Sequence, residues 1–228
     1  MLGAWTILAW PWLSGAMTIP FDAKAHFQAQ IQFLASALHS GQSPFWTPNV
    51  FGGSPHVADP QSLIFSPALI LAALNPAPSF RAVDAYVLLL LLTGAGGVLL
   101  LFRDRGWHPA GAVAAAIAFA FGASAAWRIQ HIGQIESFAF FAVTLWALLG
   151  AIQRRSFLWA AGAGLSAAFM FVEPDQIAFL GLILLGCIGL CSVVGAWREG
   201  VPADRLIGMI AVAGVVFVAV VALPITWT

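Results

Sequence analysis

The stretch Ala85–Phe102, AYVLLLLLTGAGGVLLLF, contains no charged residue and lies between Asp84 and Arg103. A helix of about that length crosses the hydrocarbon core of a bilayer, so this one segment points to a protein folded in lipid. Composition agrees: of 228 residues, 61% are hydrophobic and 8% charged, and the mean hydropathy of +0.93 is far above that of a soluble domain. Nine Lys+Arg balance nine Asp+Glu. That leaves neither a basic surface for nucleic acid nor a polybasic tail for anionic lipid.

Working outward from Ala85–Phe102, six more stretches have the same character: Met1–Phe21, Pro109–Trp127, Ser137–Gln153, Ser156–Val172, Gln176–Trp197 and Leu206–Thr228. They predict an all-α integral membrane fold of about seven transmembrane helices in one transmembrane domain. Residues 1–21 form its first helix, 22–84 a long loop and 85–228 six further helices. Met1–Phe21 lacks the basic start of a secretory signal and is expected to stay as a helix. Lys and Arg sort by loop: Arg103, Arg105, Arg154, Arg155, Arg198 and Arg205 fall in alternate loops, against Lys24, Arg81 and Arg128 in the others. Positive residues in short loops stay cytoplasmic, so the N-terminus is expected inside and the long loop outside.

That loop differs from the other connections, which are only a few residues long, and connections of its length usually carry function. Within it, Phe27, Ile31, Leu34 and Leu38 recur at helical spacing, so Asp22–Ser40 reads as an amphipathic surface helix. Asp22, His26 and Gln30 lie on its other face. The following GQSPFWTPNVFGGSPHVADPQS is rich in turn formers interleaved with Phe45, Trp46 and Phe51, which describes an ordered loop. Ile64–Leu74 reads as a short helix that dips into the interface before Pro76 and Pro78.

The segments FDAK at Phe21–Lys24, GQSPFWTP at Gly41–Pro48, FGGSP at Phe51–Pro55, ADPQS at Ala58–Ser62 and FSP at Phe65–Pro67 together resemble the first outer loop of bacterial GT-C-type membrane glycosyltransferases. The likeness is nearest to the YfhO-like branch. The resemblance implies a GT-C-like fold with the surface helix in its first outer loop. It also implies transfer of a sugar from a polyprenyl-phosphate donor, on the outer face of a bacterial inner membrane, to a glycolipid, polymer or protein acceptor. Asp22 matches the aspartate that serves the reaction in that superfamily. Because members of the superfamily carry many more helices, this chain is expected to be the N-terminal part of a longer protein.

A lipid phosphate leaves without protonation, so one carboxylate can suffice where a glycosidase needs two, with inversion at the anomeric carbon. The candidate catalytic residues are Asp22, His26 and Glu136. Lys24, Asp59, Arg128, His131, Glu173 and Asp175 are candidates for substrate binding, with the cations facing the leaving phosphate. Competing structural roles are as specific: Asp22 as a helix N-cap, Asp59 as a turn former before Pro60, Asp175 as the cap of the sixth span. The acids and imidazoles at this face also suit Mg²⁺ or Mn²⁺, although no spacing specifies a metal. Gly94–Gly97 and Ala160–Gly164 read as close helix packing, and Cys187 and Cys191 as small packing residues. Trp107, Trp127, Trp159 and Trp197 fit an aromatic belt. A transporter or flippase, and a non-catalytic GT-C-like scaffold, are the competing functions. Charges kept at span edges favour the transferase over the transporter.

Overall fold

The computed structural model describes the backbone of residues 1–227 and the side chains of residues 1–222. Among the described residues, ten α-helices account for the fold and the only β-pairing is an isolated bridge between Thr47 and Ser54. They are α1 (Leu2–Leu13), α2 (Gln28–His39), α3 (Ala68–Leu74), α4 (Phe80–Asp104), α5 (Pro109–Phe121), α6 (Ala123–Arg128), α7 (Ile132–Arg154), α8 (Phe157–Phe171), α9 (Gln176–Arg198) and α10 (Ala203–Trp227). Among the described residues, five helical stretches are long and apolar enough to cross a membrane: α4, α5 with α6, α7, α9 and α10. The chain is an all-α protein of membrane character.

Three expected elements differ in extent. Met1–Phe21 forms a 12-residue helix that stops at Leu13, about 18 Å at 1.5 Å per residue and well short of a hydrocarbon core. Hydropathy counts apolar residues through Phe21, but Pro11 lacks an N–H, Ser14 caps the last turn and Gly15 takes φ +81°. Pro109–Trp127 is interrupted at Gly122, whose extended backbone separates α5 from α6. The short helix expected from Ile64 begins at Ala68, because Leu63 sits at φ +60° and the Ser66 hydroxyl accepts the Ala68 N–H at 3.0 Å. Thr228, the end of the last expected span, lies outside the described residues.

α7 is the centre of the bundle, packing against α4, α8 and α9, while α10 packs on α8 and α5 on α4. Lipid offers no hydrophobic drive for helix association, so close van der Waals approach has to supply it. A Cβ on Gly97 would lie 2.9 Å from backbone atoms of Ala142 and Val143, and one on Gly164 would meet the Ala213 carbonyl. Both expected small-residue stripes are therefore packing seams. Cys187 and Cys191 are instead free thiols on the exposed side of α9, away from the core. Trp107, Trp127 and Trp197 are exposed near helix ends.

The bundle has two polar ends. One, the arginine end, joins the C-termini of α4 and α7 through Asp104 and Arg154. The other, the loop end, carries residues 14–79 and the starts of α4, α7 and α9.

Candidate functional site

The loop end is assembled on the surface helix. A wide turn, Ala23–Phe27, in which the Gln28 N–H reaches back to Ala23, runs directly into α2. Such π-turns recur at functional sites. Phe27, Ile31 and Leu34 are buried, as the periodicity requires; Leu38, the fourth expected anchor, is exposed. The helix is held by polar ties as well, since Gln28 and Gln32 both donate to the Pro78 carbonyl, at 2.6 and 3.3 Å. Gln30 donates to Asp59 at 3.2 Å. Asp59 also accepts the Gln61 N–H at 2.9 Å, which closes the turn its sequence suggested.

Asp22 does not cap this helix. Its own backbone is already helical and its side chain takes no capping bond; the Phe21 carbonyl accepts the first N–H groups, with Phe21 itself at φ +57°. The carboxylate is left free and reaches His131, with Oδ2 3.4 Å from Nδ1. His131 sits at the N-terminus of α7. The imidazole that meets Asp22 is thus His131 rather than His26, whose ring packs edge-on against Phe27 at 4.9 Å and whose Nε2 is buried without a partner.

His131 also lines a cavity of about 40 Å³, together with Phe27, Pro60, Gln61, Gln134, Glu173 and Asp175. The 58–62 segment, the start of α7 and the turn before α9 therefore meet at one place. Asp175 performs the capping expected of it: Oδ1 accepts the Ile177 and Ala178 N–H groups at 2.6 and 2.9 Å, and Oδ2 lies 3.0 Å from the Ser137 hydroxyl. Glu173 is 5% exposed and its Oε2 has no partner. Burial, reinforced by the nearby charges of Glu136, Asp59 and Asp175, raises its carboxyl well above the ordinary glutamate range. Glu136, on the first turns of α7, is 1% exposed, and neither of its oxygens reaches a partner. The hydroxyls of Ser66 and Tyr86 face it, and that of Tyr86 is likewise unpaired.

The cations stand apart from this cavity. Arg128 folds back onto its own helix, donating to the Ser124 carbonyl at 3.0 Å, and does not join the site. Lys24 lies 4.8 Å over the Phe80 ring and neighbours Asp84, which is 2% exposed and receives the Ile19 N–H at 3.3 Å. Among the described residues no three His, Cys, Asp or Glu side chains are grouped to hold a metal ion. Beside the acids, an apolar groove of about 440 Å³ runs between α3 and α4, lined by Ile70, Leu71, Leu74, Tyr86 and Leu89.

Tyr86, Ser66, Asp84 and His56 were not legible as site residues. Tyr86 is the only tyrosine in the chain and sits inside an uncharged run, where it reads as one more apolar position. His56 lies against Phe33, ring centroids 4.8 Å apart, and burial lowers its pKa. Comparison with known proteins finds no matching family, no matching curated protein and no matching solved structure.

Proposed function

We propose that the chain is a GT-C-like membrane transferase that moves a sugar from polyprenyl phosphate to an acceptor hydroxyl at the loop end. The observation that carries this reading is the Asp22 carboxylate, released from capping and held 3.4 Å from His131, which itself lines an acid-walled cavity. In the reaction the acceptor oxygen attacks the anomeric carbon and gives its proton to Asp22, with His131 orienting that carboxylate. The bond from anomeric carbon to phosphate oxygen breaks, its electron pair leaves with the polyprenyl phosphate, and the configuration inverts. Positioned proton transfer of this kind contributes about 10²–10⁴-fold. The apolar groove between α3 and α4 suits the prenyl chain, and Lys24, two residues from Asp22, is the nearest candidate for the phosphate. A bacterial inner-membrane location, with the N-terminus cytoplasmic and the loop end outside, completes the proposal.

Asp22→Asn tests it in membranes assayed for sugar transfer from polyprenyl phosphate. Turnover is expected to fall about 10²-fold or more with thermal stability unchanged, since Asn keeps the shape but takes no proton. Equal turnover in both proteins would remove Asp22 from the reaction. Topology has its own check, performed in a variant lacking Cys187 and Cys191. A cysteine at position 24 should react with an impermeant thiol reagent in intact cells and one at position 155 should not; the reverse pattern refutes the orientation.

One observation favours a transporter as a second reading: Glu136 is an unpaired acid within a long apolar helix, where ionisable groups mark ion pathways. Against it, α7, which carries Glu136, is continuous from Ile132 to Arg154, and in the interrupted span α5–α6 Arg128 folds back onto the Ser124 carbonyl.

A further inference from the structure

The loop-end cavity holds two carboxylates and no lysine or arginine. At about 40 Å³ it has room for a water or two or for one ammonium-sized group, and none for a sugar ring. Asp175 spends its oxygens on the α9 backbone and on Ser137. Glu173 keeps Oε2 unpaired while 5% exposed, and Glu136 lies behind it with both oxygens unpaired. A carboxylate taken out of water in this way costs several kcal/mol unless it carries a proton or meets a cation. The same crowding repels an anionic group, and the absence of a three-residue ligand set among the described residues disfavours a divalent metal.

We propose that this cavity receives the protonated amino group of an amine-bearing sugar, with Glu173 as its counter-ion and the Gln61 and Gln134 amides completing the site. The inference rests on the transferase reading and names its substrate class, an amino sugar with a free amine. Before binding, burial and the charges of Glu136, Asp59 and Asp175 favour the protonated form of Glu173. Binding then converts the Glu173 carboxylic acid and R–NH₃⁺ into a carboxylate–ammonium pair and releases one proton to solvent. His131, the one imidazole on the cavity wall, stays engaged with Asp22.

The test is calorimetric titration of the purified protein with glucosamine, N-acetylglucosamine and glucose, in buffers of different ionisation heat. Glucosamine is expected to bind at least about tenfold more tightly than the two neutral sugars, as hydrogen bonds to charged groups warrant, with proton release visible as a buffer-dependent heat. Glu173→Gln should abolish that preference and Glu173→Asp should keep part of it. Equal binding of the three sugars, no binding of glucosamine, or an unchanged preference in Glu173→Gln overturns the proposal. So does Mg²⁺ or Mn²⁺ binding that Glu173→Gln removes. If Glu173→Gln fails to fold, the wild-type series decides alone. Because no transfer is measured, the two readings fail separately. Amine preference without transfer activity sinks only the transferase, and transfer without amine preference sinks only the amine site.

Discussion

The two ends of the bundle treat acids in opposite ways. At the arginine end, Asp104 accepts Arg154 at 2.7 Å and Trp146 at 2.9 Å, and Arg103 approaches within 3.1 Å. Arg154 in turn lies 4.1 Å over Trp159, and Arg205 donates to the Arg155 carbonyl at 2.7 Å. Apart from Arg103, which binds its own neighbour on α4, these charges tie one helix or its flanking turn to another. At the loop end, Glu136 and Glu173 are more deeply buried than Asp104 yet carry unpaired oxygens, and Asp22 is paired only with an imidazole. Desolvating an acid without a partner is unfavourable for the fold, so its presence asks for a role outside folding. The paired acids of the arginine end are explained by architecture; Glu136, Glu173 and Asp22 at the loop end are not, which is why the proposed chemistry is placed there.

The widest separation between the ends is expected in turnover. Asp22→Asn should cost about 10²-fold, whereas Asp104→Asn, at the far end of α4, should leave turnover per folded molecule unchanged. A comparable loss from both would mean that the difference between the ends has no catalytic content. Stability should then separate them by sign. Glu136→Leu removes an acid whose oxygens find no partner and is expected to stabilise the fold by about 1–3 kcal/mol. Asp104→Ala should destabilise it, by about 1 kcal/mol or less because Arg154 is 35% exposed. Thermal unfolding in one detergent measures both, and a destabilised Glu136→Leu would show that this acid is a structural partner after all.

The smallest effect expected is a pH slope. Unfolded, Glu173 releases its proton near the ordinary value of 4.5; folded, it holds the proton to higher pH because its pKa is raised. Above that ordinary value the unfolded chain binds fewer protons, so stability falls as pH rises, by at most about 1.4 kcal/mol per pH unit, until the folded pKa is passed. Glu173→Gln should flatten the decline in thermal midpoint between about pH 5 and about pH 8. An unchanged slope would assign the decline to groups other than Glu173.

What could be read from the chain alone follows from local physics. Uncharged length marks the long helices, and charge sorting foretells that Asp104 and Arg154 share one end with Arg103, Arg155 and Arg205. The spacing of Phe27, Ile31 and Leu34 marks the surface helix, and Asp59 and Asp175 act as turn former and cap because such bonds close within three residues. Helix ends were less legible: apolar length runs through Ser14 and Gly15 to Phe21, while the backbone hydrogen bonds stop at Leu13. The site itself was decided only by tertiary structure. Asp22 meets His131 rather than the nearby His26 because the turn leading into the surface helix comes up against the N-terminus of α7. Arg128 turns back to Ser124, and Tyr86 and Ser66 come to face Glu136 from separate elements. These contacts join positions far apart in the chain, so no periodicity encodes them. Which acids are left without partners depends on which neighbours the packing of α4, α7 and the long loop puts beside them.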